Sequence, residues 1–336
     1  MNILYSCDEN YSPYTGISIT SLFENNKEVD EINVYILGFA ISENNKQNLY
    51  HLAQRYKRNI IFIDVEKIDK YLKERNVRLI HEKSRATYYR LFLEKVIPEH
   101  ISKILYIDSD TVIVGSLAKL TTFCFEDNKT CAMICERVFR GYNDLIGITE
   151  KDMYYNAGVL YIDLARWREF KCSEKIMEAI ERGYVNFFLH DQDLLSRTIN
   201  ENIQVLPPEY NVLSDWVDIG LNNLYSYKDV DESTFHSLDE IEYALQNPVI
   251  LHCKKMQSFT EAPWVYDNRN PFENEWIKYK NLSLWHNIPM IVKKSTYKDK
   301  VRRFLLLTLP RSLYLKITKY ETKRHITRYY QKIAER

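Results

Sequence analysis

Between Lys103 and Val114 the chain has two apolar runs separated by Asp108-Ser109-Asp110. The composition of the first run predicts a buried strand that ends at the acidic pair. Residues two apart in an extended chain point the same way, so both carboxylates can converge on one point. Two ionised carboxylates held that close repel each other unless a cation lies between them. The alternative is an ordinary Asp-Ser turn, and the tripeptide alone does not decide between the two.

Short apolar runs alternate with helix-like segments along most of the chain. The spacing of apolar residues predicts strands at 2–7, 31–37, 59–65, 103–108, 131–136 and 247–252, and a turn leading into another strand over 154–164. It predicts helices at 14–23, 42–58, 84–97 and 173–182, and a further helix that begins at 190. This alternation is typical of an α/β chain with a largely parallel sheet between layers of helices.

Polar residues stand where several of these strands end. They are Asp8 and Asn10 after the first strand, Asp108 and Asp110 after the fourth, and His252 at the end of the last. Ligands of open parallel sheets bind beyond the carboxyl ends of the strands. We therefore expect these side chains to belong to one site.

Several classes of function are not supported by the sequence. The chain has no GxGxxG, no GxxxxGK[ST] and no glycine-rich loop near residue 10, which disfavours dinucleotide oxidoreductases, P-loop enzymes and nucleotidyltransferases. The six cysteines are scattered without a paired CxxC, and we interpret them as reduced packing residues. No run approaches 18 apolar residues and the first residues do not read as a signal peptide, so we expect a cytoplasmic chain.

The net charge of zero conceals a basic C-terminal end. Residues 293–336 contain 14 Lys and Arg against three acidic residues, whereas residues 1–292 contain 32 basic and 43 acidic residues. An acidic body argues against nucleic acid as the main partner. Segments 302–309 and 311–320 mix Phe, Leu, Tyr and Ile with Arg and Lys, a pattern typical of helices that lie on an anionic membrane. A packed C-terminal helix with a solvated basic face would show the same pattern.

Six short motifs follow one another between Met1 and Trp264. They are Ile3-Leu-Tyr-Ser-Cys-Asp-Glu-Asn-Tyr11, Thr87-Tyr-Tyr-Arg-Leu91, Ile104-Leu-Tyr-Ile-Asp-Ser-Asp110, Tyr155-Asn-Ala-Gly-Val-Leu160, His190-Asp-Gln-Asp193 and Leu251-His252. In this order the chain resembles glycosyltransferase family 8, in particular bacterial lipopolysaccharide galactosyl- and glucosyltransferases. The resemblance implies a GT-A (Rossmann-like) nucleotide-sugar transferase fold over 1–265, whose nucleotide-binding part ends at about 115. A basic, helical, membrane-associating region would follow at 266–336.

The resemblance also implies a UDP-hexose donor, a divalent metal and transfer that retains the anomeric configuration. Asp108, Asp110 and His252 would bind manganese or magnesium, because carboxylates with one imidazole suit these ions better than zinc. The other implied contacts are Asp8 and Asn10 to uracil and ribose, Arg90 to the donor near its sugar and phosphate, and Asn156, Asp191, Gln192 and Glu136 to the transferred sugar. The acceptor would be a glycan or lipid-linked oligosaccharide at the inner face of the cell membrane. The choice between glucose and galactose stays open.

One part of the family pattern is changed. The family segment His-x-x-Gly-x-x-Lys-Pro-Trp contains a lysine that grips the diphosphate, and here the segment reads His252-Cys-Lys-Lys-Met-Gln-Ser-Phe-Thr-Glu-Ala-Pro-Trp264. Ser258 stands where that lysine is expected, so Lys254 or Lys255 would have to supply the charge. This change is the only support for an alternative function, that of a non-catalytic nucleotide-sugar- or carbohydrate-binding protein on the same fold. The acidic pair, His252, Asp191 and Gln192 count against that alternative.

The residues that the resemblance places around the transferred sugar predict that the acceptor attacks the sugar on the same face that the diphosphate leaves. Retaining glycosidases usually use a carboxylate nucleophile, whereas the group expected there is Gln192, whose amide is a poor nucleophile. We therefore expect same-face attack through an oxocarbenium-like state, with Asp191 orienting sugar hydroxyls and Gln192 stabilising the positive ring. A cation held by Asp108 and Asp110 would stabilise the departing diphosphate. The alternative for Asp191 is simply a favourable place in the first turn of a helix.

Overall fold

A seven-stranded, mostly parallel sheet lies at the centre of the computed structural model, which describes residues 1–77, 85–184, 187–254, 261–294 and 296–334. The strands of this sheet and of two smaller sheets are β1 (Asn2–Asp8), β2 (Asn33–Phe39), β3 (Asn59–Ile63), β4 (Lys103–Ile107), β5 (Thr111–Ile113), β6 (Cys131–Met133), β7 (Cys135–Glu136), β8 (Tyr154–Tyr155), β9 (Val159–Asp163), β10 (Ile203–Val205), β11 (Val212–Leu213) and β12 (Ile250–His252). Their order in the central sheet is β10-β6-β9-β4-β1-β2-β3. β9 runs antiparallel to β4 and β6, and the other pairs are parallel. The predicted α/β class is confirmed.

Helices of varied length alternate with these strands. They are α1 (Ser12–Glu24), α2 (Glu43–Tyr56), α3 (Glu66–Glu74), α4 (Arg85–Tyr89), α5 (Tyr142–Ile146), α6 (Leu164–Glu169), α7 (Cys172–Glu181), α8 (His190–Thr198), α9 (Ser214–Ile219), α10 (Leu221–Lys228), α11 (Leu238–Gln246), α12 (Glu273–Leu282), α13 (Tyr297–Thr308) and α14 (Arg311–Ala334). Ser42 caps α2 by accepting a hydrogen bond from the amide of Asn45, which agrees with the predicted start of a helix at 42.

The inner strands are buried along nearly their whole length. Ile3, Leu4 and the run Ile104–Ile107 are at most 1% exposed, which fits their near-continuous apolar sequence. β1 and β4 are parallel neighbours, so Asp8 and the acidic turn after β4 leave the sheet at the same edge. The six cysteines are free; the five buried ones agree with the interpretation as packing residues, and the exposed Cys124 does not.

Two predicted elements are each divided into two. The helix expected over 84–97 is α4 followed by a 3₁₀ helix at Arg90–Lys95, with Phe92 outside helical geometry; its predicted first residue, Ser84, lies outside the described residues. The strand expected over 131–136 is β6 in the central sheet and β7, which pairs with β8. Each was predicted as one continuous element, which was wrong, because apolar spacing does not report a change of helix type or of sheet partner.

A small sheet of order β11-β12-β5 extends the carboxyl edge of the central sheet. β5 begins directly after the acidic turn and pairs antiparallel with β12, so that His252 lies opposite Thr111. The amide of Cys253 donates to the carbonyl of Asp110 over 2.8 Å. This pairing carries the end of β12 to the acidic turn across 142 positions of sequence.

The segment after residue 265 shares a core with the sheet domain. Trp276 and Tyr279 of α12 are buried, and the Tyr279 hydroxyl accepts a hydrogen bond from Asn25 beside α1. Trp285 packs so closely on Gly16 of α1 that a Cβ there would lie 1.9 Å from its ring. The boundary at 265 stays a prediction, and these contacts hold α12 against the domain on its N-terminal side.

The two C-terminal helices differ in burial. α13 exposes a row of large apolar side chains, with Phe304 and Leu307 more than 60% exposed. α14 buries Tyr314, Leu315 and Ile326. No helix among the described residues combines the length and apolar character needed to cross a membrane.

Candidate active site

Asp108, Asp110 and His252 converge at the carboxyl edge of the sheet. One ligand atom of each lies within 4.8 Å of the others, and His252 Nε2 is 3.3 Å from Asp110 Oδ1. The carboxylates are about a quarter exposed and the imidazole is buried. The predicted geometry was wrong in one respect, because Asp110 lies in a turn between β4 and β5 and not in an extended segment.

The turn that carries the carboxylates is held by hydroxyl groups. Ser109, buried between the two aspartates, shares a 2.8 Å hydrogen bond with Thr15 of α1. Thr111 donates to the Asp108 carbonyl over 2.8 Å. Gly158 O accepts from the Asp108 amide, and a Cβ on Gly158 would lie 2.2 Å from His252 Cε1. The absence of a side chain at Gly158 thus makes room for the imidazole ring.

The protonation of the three groups is coupled. Burial opposes charge on Asp110, but the nearby His252 outweighs it and holds the pKa of Asp110 below its ordinary value. Burial would likewise lower the pKa of His252, yet the two carboxylates raise it. Burial raises the pKa of Asp108, with Arg90 opposing and Asp110 adding to the shift. A divalent cation would satisfy both carboxylates at once and release the proton from His252.

The donor set fits a divalent cation. Tyr106 and Arg90 both contact Asp108 Oδ1, at 2.5 and 2.9 Å, so neither contact engages Oδ2. His252 Nδ1 is bonded to Asn211, which directs Nε2 toward Asp110. Two carboxylate oxygens and one imidazole nitrogen can therefore face a cation placed between them, and these are ligands that such ions accept.

Arg90 joins the acidic turn to α8. Its Nη2 lies 2.9 Å from Asp108 Oδ1 and its Nε lies 3.3 Å from Asp191 Oδ2. Nη1 donates to the Ala157 carbonyl over 2.7 Å, and the guanidinium stacks 4.0 Å above the Tyr106 ring. The side chain is buried, so one fixed cation compensates two carboxylates from different parts of the chain.

Asp191 and Gln192 lie buried at the start of α8. Asp191 Oδ2 has no hydrogen-bond partner among the described residues, and burial raises the pKa of Asp191 to about 7 although Arg90 opposes the shift. Gln192 Oε1 accepts from Asn156 Nδ2 at 3.2 Å and from the Ala157 amide at 3.1 Å. A favourable place in a first helical turn does not explain a buried carboxylate whose Oδ2 pairs with Arg90 but accepts no hydrogen bond.

Glu136 belongs to a buried charge cluster on the other side of the site. It bonds Lys228 Nζ at 2.7 Å and Lys254 Nζ at 2.9 Å, and Lys228 also bonds Asp215 at 2.8 Å. Burial opposes its ionisation, but the two lysines lower the pKa of Glu136 to about 2. Lys254, predicted to grip a diphosphate, thus contacts Glu136, while Lys255 lies outside the described residues.

Asp8 and Asn10 lie together at the end of β1. Asp8 accepts hydrogen bonds from the Tyr11 amide and from Asn10 Nδ2. Partial burial, followed by the charges of Asp110 and Asp108, raises the pKa of Tyr11 to about 12. Tyr11 follows the end of β1, where its amide bonds Asp8, and the residue is 47% exposed.

Four supporting residues were not predicted. All four are buried: Tyr106, Tyr154 and Asn211 bond predicted residues, and Asp193 accepts a hydrogen bond from Tyr154. The buried tyrosines could have been found from their strands, because a buried hydroxyl needs a partner. Asn211 follows Pro207-Pro208-Glu209-Tyr210, where an asparagine reads only as part of a turn.

Comparison with known proteins gives consistent results. The model of the family described as "Glycosyl transferase family 8" matches residues 2–256. General stress protein A of Bacillus subtilis is 25% identical over 292 residues, which is 86% of this chain and 96% of that protein. A lipopolysaccharide 1,2-glucosyltransferase of Escherichia coli is 26% identical over 327 residues, covering 90% of this chain and 85% of that protein.

A solved structure shares the fold. The galactosyltransferase LgtC, crystallised with donor and acceptor sugar analogues, superposes with a TM-score of 0.66 at 21% identity, covering 90% of this chain and all of that one. The shared architecture is the GT-A fold, as predicted.

Proposed function

The chain belongs to glycosyltransferase family 8, and from that premise we propose that it transfers glucose or galactose from a UDP-sugar to a glycan or glycolipid acceptor, with retention of configuration. The observation that carries the proposal is the connection made by Arg90. This residue joins Asp108 of the acidic cluster to Asp191 of α8. A group that departs with negative charge at the cluster and a sugar held at α8 would then be adjacent.

Asp108, Asp110 and His252 would hold a divalent cation. Such a cation supplies, when bound, electrostatic stabilisation of the charge that develops on the departing diphosphate. Asp8 and Asn10 present carboxylate and amide groups at the neighbouring strand end for the hydroxyl and imide groups of a uridine. The half-exposed Tyr11 ring beside them offers a face on which a base can stack.

The sugar would be held by Arg90, Asn156 and the first turn of α8. Asp191 Oδ2 accepts no hydrogen bond within the described residues and is suited to accept one from a sugar hydroxyl, while its ion pair with Arg90 compensates the charge. The contact expected of Glu136 with the sugar is not part of this proposal, because its carboxylate is 1% exposed and both oxygens bond lysines.

The hydrogen bonds of Gln192 support same-face substitution. Its Oε1 already accepts two hydrogen bonds, from Asn156 and Ala157, so its lone pairs are engaged. An engaged amide oxygen is a weaker nucleophile, yet its partial negative charge can still stabilise a positive sugar ring. The acceptor hydroxyl would then attack on the face from which the diphosphate leaves, and the diphosphate would take up the hydroxyl proton.

Release of UDP tests the proposed function. We expect the purified chain to release UDP from UDP-glucose or UDP-galactose with Mn²⁺ or Mg²⁺ present, and to lose this activity on chelation of the metal. Restoring the metal after chelation controls for irreversible damage. Absence of metal-dependent turnover with both sugars would contradict the proposal, and retained binding of UDP-sugar in that case would favour the non-catalytic binding protein.

We further propose that α13 attaches the protein to an anionic membrane, next to a lipid-linked acceptor. Its exposed apolar residues Phe304 and Leu307 lie within a C-terminal region of strongly basic composition. This combination is typical of helices that insert their apolar face among lipid headgroups.

Substitution of both apolar residues tests the attachment. Phe304→Ser with Leu307→Ser is expected to abolish cosedimentation with vesicles that contain phosphatidylglycerol, because the helix loses the side chains that would enter the headgroup layer. Tyr243→Ser is the matched control, since Tyr243 is a 53% exposed aromatic residue on α11. Equal cosedimentation of the double variant and the wild type would contradict the proposal.

A further inference from the structure

A chain of side-chain amides connects His252 to α8. His252 Nδ1 lies 3.0 Å from Asn211 Oδ1, and Asn211 Nδ2 donates to Asn156 Oδ1 over 2.8 Å. Asn156 Nδ2 donates to Gln192 Oε1, and Gln192 Nε2 donates to the Tyr154 hydroxyl over 2.8 Å. The two asparagines are at most 3% exposed and Gln192 is 9% exposed, so their amides have little access to water as a substitute partner.

Backbone amides fix the direction of this chain at two points. The Ala157 amide donates to Gln192 Oε1, and the Gly158 amide donates to Asn156 Oδ1 over 2.9 Å. A backbone N–H can only donate, so each of these side-chain atoms must be an oxygen. The usual ambiguity between the oxygen and nitrogen of an amide is therefore removed for both residues.

The orientation of Asn211 follows from that of Asn156. Because Asn156 presents its oxygen to Asn211, Asn211 must present its NH₂ group in return. Its own oxygen then faces His252, and an oxygen without hydrogen can only accept. The Nδ1 atom of His252 must carry a proton, and the lone pair of the neutral imidazole lies on Nε2, the atom nearer Asp110.

We propose that Asn211 is a positioning residue that holds His252 in the Nδ1–H tautomer for metal binding and couples it to Gln192. The inference rests on the proposed function, since it assigns a role within that metal site. Partners that bond the second nitrogen of a metal-binding histidine typically set its tautomer and ring orientation. Here the partner also belongs to the chain of amides that holds the sugar-facing glutamine.

Two substitutions separate the two parts of the role. Asn211→Ala removes both the acceptor for His252 and the donor to Asn156. Asn211→Asp keeps an acceptor for His252 but turns an oxygen toward Asn156 Oδ1, so the link to Gln192 is broken while the tautomer is kept. Asn26→Ala is the matched control, because Asn26 is equally buried and its side chain bonds the backbone of Leu22 and Leu117, outside this chain of amides.

The test measures Mn²⁺ affinity by electron paramagnetic resonance on the purified full chain, together with kcat. We expect Asn211→Ala to weaken Mn²⁺ binding by about 10- to 100-fold. Asn211→Asp is expected to bind Mn²⁺ at least as tightly as the wild type does, because a carboxylate keeps the acceptor for His252, but to lose at least about tenfold in kcat. Asn26→Ala is expected to change neither value per folded molecule.

The outcomes distinguish the two levels of the proposal. If the wild type binds no Mn²⁺, the proposed metal site itself fails. If the wild type binds Mn²⁺ and Asn211→Ala binds it equally well, the role of Asn211 is wrong. Should Asn211→Ala not fold, proton–nitrogen correlation spectra of the metal-free wild type decide, with His252→Gln identifying the signal. An imidazole protonated on Nε2 alone would overturn the inference.

Discussion

Asp110→Asn is expected to lower metal-dependent UDP release by roughly two to three orders of magnitude, because a bound cation supplies several kcal/mol of transition-state stabilisation. Asparagine keeps the shape of the side chain but removes the negative charge that faces His252 at 3.3 Å. The affinity for Mn²⁺ is expected to fall as well. Both quantities are measured on the same preparation, kinetically and by metal titration.

The control for this change is Asp127→Asn, at an exposed loop position. It removes the same charge from the acidic body of the protein and is expected to leave turnover and metal affinity unchanged. An Asp110→Asn protein that retains full turnover with an unchanged metal requirement would show that the cluster does not hold the cation. Loss of turnover with unchanged Mn²⁺ affinity would assign Asp110 to the sugar or the diphosphate and not to the metal.

The positions at the strand ends could be predicted because they follow from local patterns and one topological rule. The run Ile104–Ile107 marks an inner strand, and inner parallel strands direct their carboxyl ends to a common edge. Asp8, Asp108 and Asp110 could therefore be expected at one edge from sequence, whereas His252 reaches them because β12 pairs antiparallel with β5 in the small sheet. The predicted extended geometry of the acidic pair was wrong, since Asp110 lies in a turn that the hydrogen bond between Ser109 and Thr15 stabilises.

The partners of the predicted residues could not be read from sequence. Asn211 meets His252 across 41 positions, and Lys228 meets Glu136 across 92. An asparagine in a 3₁₀ turn and a lysine at the end of α10 are both ordinary surface patterns. Only the assembled fold shows that they are buried and which atoms they bond.

The resemblance to a family supplied roles for Arg90 and Asp191 but not their contact. Their positions differ by 101 residues, and neither lies on a strand whose register could align them. The structure shows them as an ion pair that also includes Asp108. This contact is expected to contribute to both stability and activity, and substitutions at Arg90 and Asp191 together can separate the two contributions.

Arg90→Met is expected to lower the free energy of unfolding by about 3–5 kcal/mol and to abolish detectable transfer. Methionine fills much of the same volume but leaves Asp108 and Asp191 without their shared cation, and it removes the donor to the Ala157 carbonyl. A buried carboxylate without compensation is costly. Urea unfolding in metal-free buffer measures the stability, and UDP release with Mn²⁺ measures the activity.

The double variant Arg90→Met, Asp191→Asn separates the two effects. Replacing the buried carboxylate by an amide removes one uncompensated charge, so stability is expected to recover in part, whereas transfer stays lost because neither the guanidinium nor the carboxylate is present at the sugar. Arg75→Met serves as the control, since Arg75 pairs with Glu181 at the surface and its loss is expected to change stability little. If the double variant is no more stable than Arg90→Met, the cost does not arise from Asp191. If Arg90→Met retains wild-type transfer, the connection between the acidic cluster and α8 has no part in the reaction.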